Sequence, residues 1–250
     1  MAEKTIEYLS VSPSRITVLE CLSTSPSRPC ELIEQNTFSR ATLQRHLDGF
    51  SKRGWVRKKG TRYRITTCGE WVLEKYDELN GQMETIEKIS GIIRHIEDIP
   101  VEPELSMFED AKLVTETDSQ PHRALNYYIN ELSSCSTTEF HGFCPVVSPI
   151  YNDVHGPVVE ECDTPELILP TKTYESLRKD PHLDGKSTGI SLFTYPEYLN
   201  FGLSLLENRV FLGGYERGQL SDCLSSDSPE LVNWAHKLFE YFKTKSDRVN

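Results

Sequence analysis

No apolar run in the 250-residue chain approaches the length of a membrane span, no CxxC pair occurs, and no internal repeat or low-complexity tract is visible. Runs such as "GII" and "PELILP" fall far short of the roughly 20 apolar residues a spanning helix needs, so no membrane contact is expected. The first residues lack a basic-then-apolar leader, which makes the cytoplasm the expected location. Seven scattered cysteines (Cys21, Cys30, Cys68, Cys135, Cys144, Cys162 and Cys223) are an odd number and read as reduced thiols rather than a disulfide framework. Against these absences stands a 37% hydrophobic content, sufficient to fill one large core or two small ones.

Charge is divided unevenly. Met1 to Lys75 holds 13 Lys/Arg against 8 Asp/Glu, a balance of +5, whereas the remainder holds 14 against 30, a balance of −16. Between Arg40 and Arg64 nine basic residues face one acid, Asp48. A basic patch focused on an otherwise acidic protein is the footprint expected of a nucleic-acid site, because the acidic body repels phosphate elsewhere.

The N-terminal third reads as three helices and a hairpin. Ser12 and Pro13 open a helix carrying Ile16, Leu19 and Leu22; "SRPCELIEQNT" gives a short second one; "SRATLQRHLDGFSKRGWV" gives the third. In the third, Leu43, Leu47 and Phe50 share one arc while Ala41, Arg45, Asp48 and Lys52 share the other, with Ser39 as N-cap and Gly54 as C-terminal stop. "WVRKKGTRYRIT" then alternates Tyr63 and Ile65 with Arg62 and Arg64 around a turn at "KKGT". Three short helices followed by a cationic hairpin make a winged helix.

Thr67 and Glu70 have capping-box spacing for a long helix whose stripe Val72, Tyr76, Leu79, Met83, Ile86, Ile93 suits packing against its copy in a second chain. Packing within one chain is the competing reading. The acidic, proline-flanked stretch 99–120 is expected to link two domains. Beyond it helices are expected at "RALNYYINELSS", "TYESLRKD" and "SPELVNWAHKLFEYFKTK". Strands are expected at "TEFHGFCPVV", "PELILP", "STGISLFTY", "NFGLSLLE" and "RVFLGGY", the last two joined by a tight turn at Glu207 and Asn208.

"SRATLQRHLDGFSKRGWVRKKGTRYRITTCGEWV" resembles the winged-helix segment of archaeal transcription regulators, through its Ser-Arg-x-Thr, Gly-Trp-Val and Tyr-x-Ile-Thr-x-x-Gly motifs. "ELILP", "NFGLSLLENRVFLGGYERG" and "SPELVNWAHKLFEYF" resemble the sensor domain of archaeal methanogenesis and filament regulators, which are also common in haloarchaea. The resemblance implies a sequence-specific, usually dimeric DNA-binding regulator with an effector or partner domain at its C-terminus. The expected fold is therefore α+β: a winged helix-turn-helix over 1–68, a long dimerising helix over 69–98, a linker over 99–120 and an α/β sensor-like domain over 121–250.

On this reading the partner is double-stranded DNA. Arg40 and Arg45 can address guanine O6 and N7, Gln44 adenine, and Thr42 a thymine methyl or a phosphate, while Ser39 holds backbone amides near a phosphate. Arg45 lies on the outer arc and Arg40 nearer the apolar one. Lys58, Lys59, Arg62 and Arg64 of the wing would grip phosphates. Tyr195, Tyr198, Arg209 and Tyr215 lie near strand ends, where they can hold an anionic small-molecule effector, although core packing explains the tyrosines equally well. No cofactor, metal or enzymatic activity is expected. Two other readings stand beside the regulator: an interaction module that uses the winged helix without DNA readout, and a metal or redox sensor built on "HGFC". The latter would join His141 and Cys144 with Cys135, His155 and Cys162, although these spacings match no standard zinc pattern.

Overall fold

The computed structural model describes residues 2–97, 99–179 and 189–249. They divide into two compact units, Met1–Met83 and Glu84–Asn250.

The first unit runs α1 (Ala2–Ser10), α2 (Pro13–Thr24), α3 (Pro29–Glu34), α4 (Arg40–Lys52), β1 (Val56–Lys59) and β2 (Arg62–Ile65). The helix expected to be first is thus the second. In α1 Leu9 is buried and Tyr8 is half-buried, its ring lying between the guanidinium groups of Arg15 and Arg53 at 3.9 and 3.6 Å. Such cation–π contacts, together with Leu9, tie α1 down. Val18, Leu19, Leu22, Leu32, Leu43, Leu47 and Phe50 fill the core, each worth about 1.5–3 kcal/mol of burial. Gly60, at φ +63°, is the first of the two residues joining β1 to β2, as a II′ hairpin turn requires. A single backbone bridge pairs Ser27 with Tyr63 beside this two-stranded hairpin, with N···O distances of 3.0 and 2.8 Å.

The long helix α5 spans Thr67–Ile93. Its cap is Thr66 rather than Thr67: the Thr66 hydroxyl accepts from the Gly69 amide at 3.2 Å and also lies 2.6 Å from the Gly54 carbonyl oxygen.

The second unit continues with a 3-10 turn (Leu105–Phe108), β3 (Lys112–Thr115), α6 (Arg123–Ser133), β4 (Phe140–Phe143), α7 (Pro149–Glu160), β5 (Glu166–Pro170), α8 (Thr171–Lys179), β6 (Ser191–Tyr195), β7 (Phe201–Leu206), β8 (Arg209–Glu216), β9 (Gln219–Ser226), α9 (Pro229–Thr244) and β10 (Asp247–Arg248). One sheet has the order β10-β6-β5-β4-β7-β8-β9-β3. Strands β4, β5 and β6 are parallel, with α7 and α8 as crossovers, and the other pairings are antiparallel. Alternate residues serve opposite faces: Val210 and Leu212 of β8 join a core with α9, while Phe211 and Tyr215 join one with α6 and α7. Cover on both faces explains why every residue of β7 is buried.

Residues 99–120, expected to be a linker, belong to this unit. β3 pairs with β9 from Lys112↔Ser225 to Thr115↔Asp222, and Ile99, Phe108 and Ala111 lie in the core. Helix α7, strand β9 and strand β10 had no counterpart in the sequence reading. Asp180, at the end of the expected "TYESLRKD" helix, and Ser187 and Thr188, at the start of the expected "STGISLFTY" strand, lie outside the described residues.

Candidate nucleic-acid interface

Helix α4 is bounded as its sequence requires. Ser39 Oγ accepts from the Thr42 amide at 3.2 Å, and Gly54 follows the C-cap with φ +74°. The turn of Leu43, Leu47 and Phe50 into the core leaves Arg40, Ala41, Gln44, Arg45, Asp48 and Lys52 exposed. His46, not singled out from sequence, joins the buried face: its ring stacks on Phe50, and its Nε2 lies 2.8 Å from Ser14 Oγ. Burial, reinforced by Arg15 and Arg45, lowers its pKa and keeps it neutral beside the basic patch.

The exposed polar groups of α4 are not equally available. Gln44 donates from Nε2 to Asp48 Oδ1 at 2.8 Å, and the Ser39 and Thr42 hydroxyls lie 3.0 Å apart across the cap. Arg40 and Arg45 have no ion pair among the described residues.

The wing sorts its cations by register. Arg57 stands opposite Arg64, and Lys59 opposite Arg62, so these four share the solvent face; Lys58 stands opposite Tyr63 on the other face, its ammonium 5.5 Å from that ring. Lys58, exposed, thus lies on the opposite face of the hairpin from Lys59, Arg62 and Arg64, and Arg57, not singled out from the sequence, lies on the same face as those three. Arg62, expected to grip phosphate, is engaged within the first unit. Its guanidinium forks onto Glu31 at 3.0 and 3.1 Å and donates to the Pro26 carbonyl at 2.8 Å, clamping the wing to the start of α3. Arg57, Lys59 and Arg64 have no carboxylate partner among the described residues. The exposed cations of α4 and the wing without a carboxylate partner among the described residues are thus Arg40, Arg45, Lys52, Arg57, Lys58, Lys59 and Arg64.

The helix stripe expected to dimerise divides three ways. Val72 and Tyr76 pack on the core of the first unit, Ile93 packs on that of the second, and Leu79, Met83 and Ile86 remain 37%, 50% and 44% exposed.

The four residues expected to form an effector pocket do not meet. Tyr195 is buried edge-on against Phe242, with ring centroids 5.0 Å apart. Tyr215 is buried with its hydroxyl 3.4 Å from that of Tyr151, Tyr198 is 48% exposed, and Arg209 reaches Glu131 at 2.5 Å. The "HGFC" cysteine is buried, and burial pushes its pKa up to about 11, so Cys144 is an inert thiol. Cys135 and Cys162 donate to the backbone carbonyls of Glu131 and Val158. Among the described residues no three His, Cys, Asp or Glu side chains gather as metal ligands. No described helix is long and apolar enough to cross a membrane.

Residues 121–245 match the family model described as the middle domain of methanogenesis regulatory protein FilR1, and residues 3–88 match that of the HVO_A0261 N-terminal domain. The chain belongs to the FilR1 family of regulatory proteins. No curated protein matches this regulator. Among solved structures, it is similar over its whole length to all of TrmBL2, an archaeal chromatin protein described as showing a novel mode of DNA binding, at 15% identity and TM-score 0.43. Over 56% of its length it is similar to 99% of Nuc, a phospholipase D family member from Salmonella typhimurium, at 10% identity and TM-score 0.45. The corresponding values for NucT from Helicobacter pylori are 56% and 99% coverage, 13% identity and TM-score 0.42.

Proposed function

We propose that this regulator is a homodimeric, sequence-specific DNA-binding transcription factor whose C-terminal unit senses a ligand or partner. The observation that carries the reading is the set of exposed cations without carboxylate partners on α4 and the wing, on a chain of net charge −11. An α-helix fits the major groove, and cations flanking it meet the phosphates on either side. Arg45, central on the outer face of α4 and without an ion pair among the described residues, is the base-reading residue. Arg57, Lys59 and Arg64 hold the backbone, and Arg40 contacts either a base edge or a phosphate at the groove wall. Ser39 and Thr42, engaged in the cap, position the first amides of α4. Leu79, Met83 and Ile86, exposed at helical spacing, supply the dimer contact. Two such copies would read half-sites about 34–36 Å apart.

The test maps bound genomic fragments and then titrates cognate and unrelated duplexes by fluorescence anisotropy. Arg45→Ala should reduce the preference for the cognate site by about 5- to 100-fold, whereas Lys59→Ala should weaken every duplex to a similar degree. Parent-like binding by both variants would remove the groove assignment.

A further inference from the structure

Asp48 is the one acid in α4, and it is exposed. Ala41 precedes it by two turns on the same line of the helix, Arg45 stands three residues before it and Lys52 four residues after, so Asp48 lies between two cations on the exposed face. Either cation is close enough for an ion pair at this spacing, yet among the described residues Asp48 makes none. Its partner is neutral: Gln44 donates from Nε2 to Asp48 Oδ1 at 2.8 Å. That bond fixes one oxygen of the carboxylate, while Oδ2 has no hydrogen bond among the described residues and keeps its capacity to accept.

A face that carries Arg45 into a major groove carries Asp48 with it. A carboxylate only accepts hydrogen bonds, and phosphates and ring acceptors repel it. The four bases differ in what they offer such a group. Guanine shows O6 and N7, thymine shows O4, and adenine sets its N6 amine beside the N7 acceptor, whereas cytosine shows the N4 amine alone. Cytosine is therefore the base that satisfies Oδ2 without setting an acceptor against it. Guanine or thymine in its place leaves a charged oxygen stripped of water and unpaired, which is costly.

We propose that Asp48 is a specificity-determining residue: its carboxylate, held by Gln44, accepts from the N4 amine of a cytosine and rejects guanine and thymine at the same position. The inference rests on the DNA-binding function proposed above and deepens it by naming a base. Arg45 supplies the donors for a guanine, and Asp48 supplies the acceptor for a cytosine. The same negative charge weakens contact with every duplex that lacks this cytosine, so Asp48 widens the gap between cognate and unrelated sites.

The experiment selects bound sequences from a randomised duplex library with the full-length parent and with Asp48→Asn, then titrates single duplexes by fluorescence anisotropy. Asparagine keeps the shape and still accepts from Gln44, but it loses the charge and offers an N–H to guanine or thymine. At one position the parent should favour cytosine over guanine and thymine by at least about ten-fold, and in Asp48→Asn this preference should fall to about two-fold or less with the other positions unchanged. Affinity for an unrelated duplex should rise about two- to five-fold once the charge is gone. Asp48 is exposed and makes no ion pair among the described residues, so the variant should keep the parent melting temperature. A parent site without such a cytosine, a parent-like profile in Asp48→Asn, or a loss spread evenly over all positions would overturn the role of Asp48 and leave sequence-specific binding standing. A parent that selects no sequence would remove the sequence-specific function and this inference with it.

Discussion

Arg62 and Arg64 stand two residues apart on the same face of β2, yet they should respond to mutation in opposite ways. Arg62 is held by two bonds to Glu31 and one to the Pro26 carbonyl, with side-chain exposures of 46% for Arg62 and 34% for Glu31. A bidentate pair is stronger than a single contact, but at this exposure solvent screens it, so the clamp contributes about 1 kcal/mol. For a unit of about 80 residues that corresponds to a fall of roughly 4–8 °C in Tm for Arg62→Ala. Arg64 has only Arg57 opposite it, and directly opposed like charges destabilise a hairpin by some tenths of a kcal/mol. Arg64→Ala should therefore leave Tm unchanged or slightly higher.

On DNA the order reverses. Removal of one phosphate-binding cation should flatten the slope of log K against log salt by about 0.9, so Arg64→Ala should change the slope and Arg62→Ala should leave it at the parent value. Scanning calorimetry of the full chain and anisotropy titrations between 50 and 200 mM salt, about the range in which such slopes are large, read the two effects separately. Arg62→Ala with parent stability and a flattened slope would refute the clamp and return Arg62 to the phosphate-binding set.

Other consequences follow from the same geometry. Ser39→Ala removes the only described side-chain cap at the start of α4 and should destabilise the winged helix by about 1 kcal/mol, measured as a shift in denaturant midpoint. Met83→Glu places a charge within the exposed Leu79, Met83, Ile86 stripe and should convert a dimer to a monomer in light scattering without loss of helical circular dichroism; a parent-like mass would remove the stripe from the interface. His155 is a base whose folded pKa, about 4, lies below its ordinary value of 6.5, so the unfolded chain binds the extra proton between those values. Its contribution to stability is present above about pH 6.5 and is lost as pH falls to about 4. Tm should therefore drop over that window, and His155→Gln should flatten the drop; an unchanged slope would mean that His155 does not titrate on unfolding.

Legibility of the fold followed the range of the interactions. Helix α4 was readable because its apolar arc, cap and stop all lie within 16 residues, from Ser39 to Gly54. Helix α7 was not, because Gly156 and Pro157 interrupt a stretch whose buried Tyr151, Val158 and Val159, although at helical spacing, have only the half-buried Val154 and His155 between them on that face. Strand β9 was hidden by its polarity: Ser221, Asp222, Ser225 and Ser226 are buried. Partners far along the chain satisfy several of them, with Thr115 Oγ1 2.7 Å from Asp222 and Tyr127 Oη 2.5 Å from Ser225. The site divided in the same way. The cationic face of the wing was legible in its alternation, but the Arg62 clamp joins residues 31 apart, and the placement of Arg57 and Lys58 on opposite faces depends on the hairpin register.

The register also explains why the remaining cations carry the functional reading. The first unit shows that it can neutralise an arginine where a fixed wing requires it, since Glu31 serves both Arg62 and the Arg28 amide. The acid within the basic stretch, Asp48, accepts from Gln44 rather than pairing with Arg45. With Arg57 set against Arg64, the hairpin accepts a local repulsion of some tenths of a kcal/mol, small beside the roughly 1.5–3 kcal/mol gained by burying a single Phe50. A surface selected for stability alone would relieve that repulsion with one carboxylate. Its persistence over a core able to carry it is what an anion-binding face requires, because an internal counter-ion would have to be displaced before each phosphate could bind.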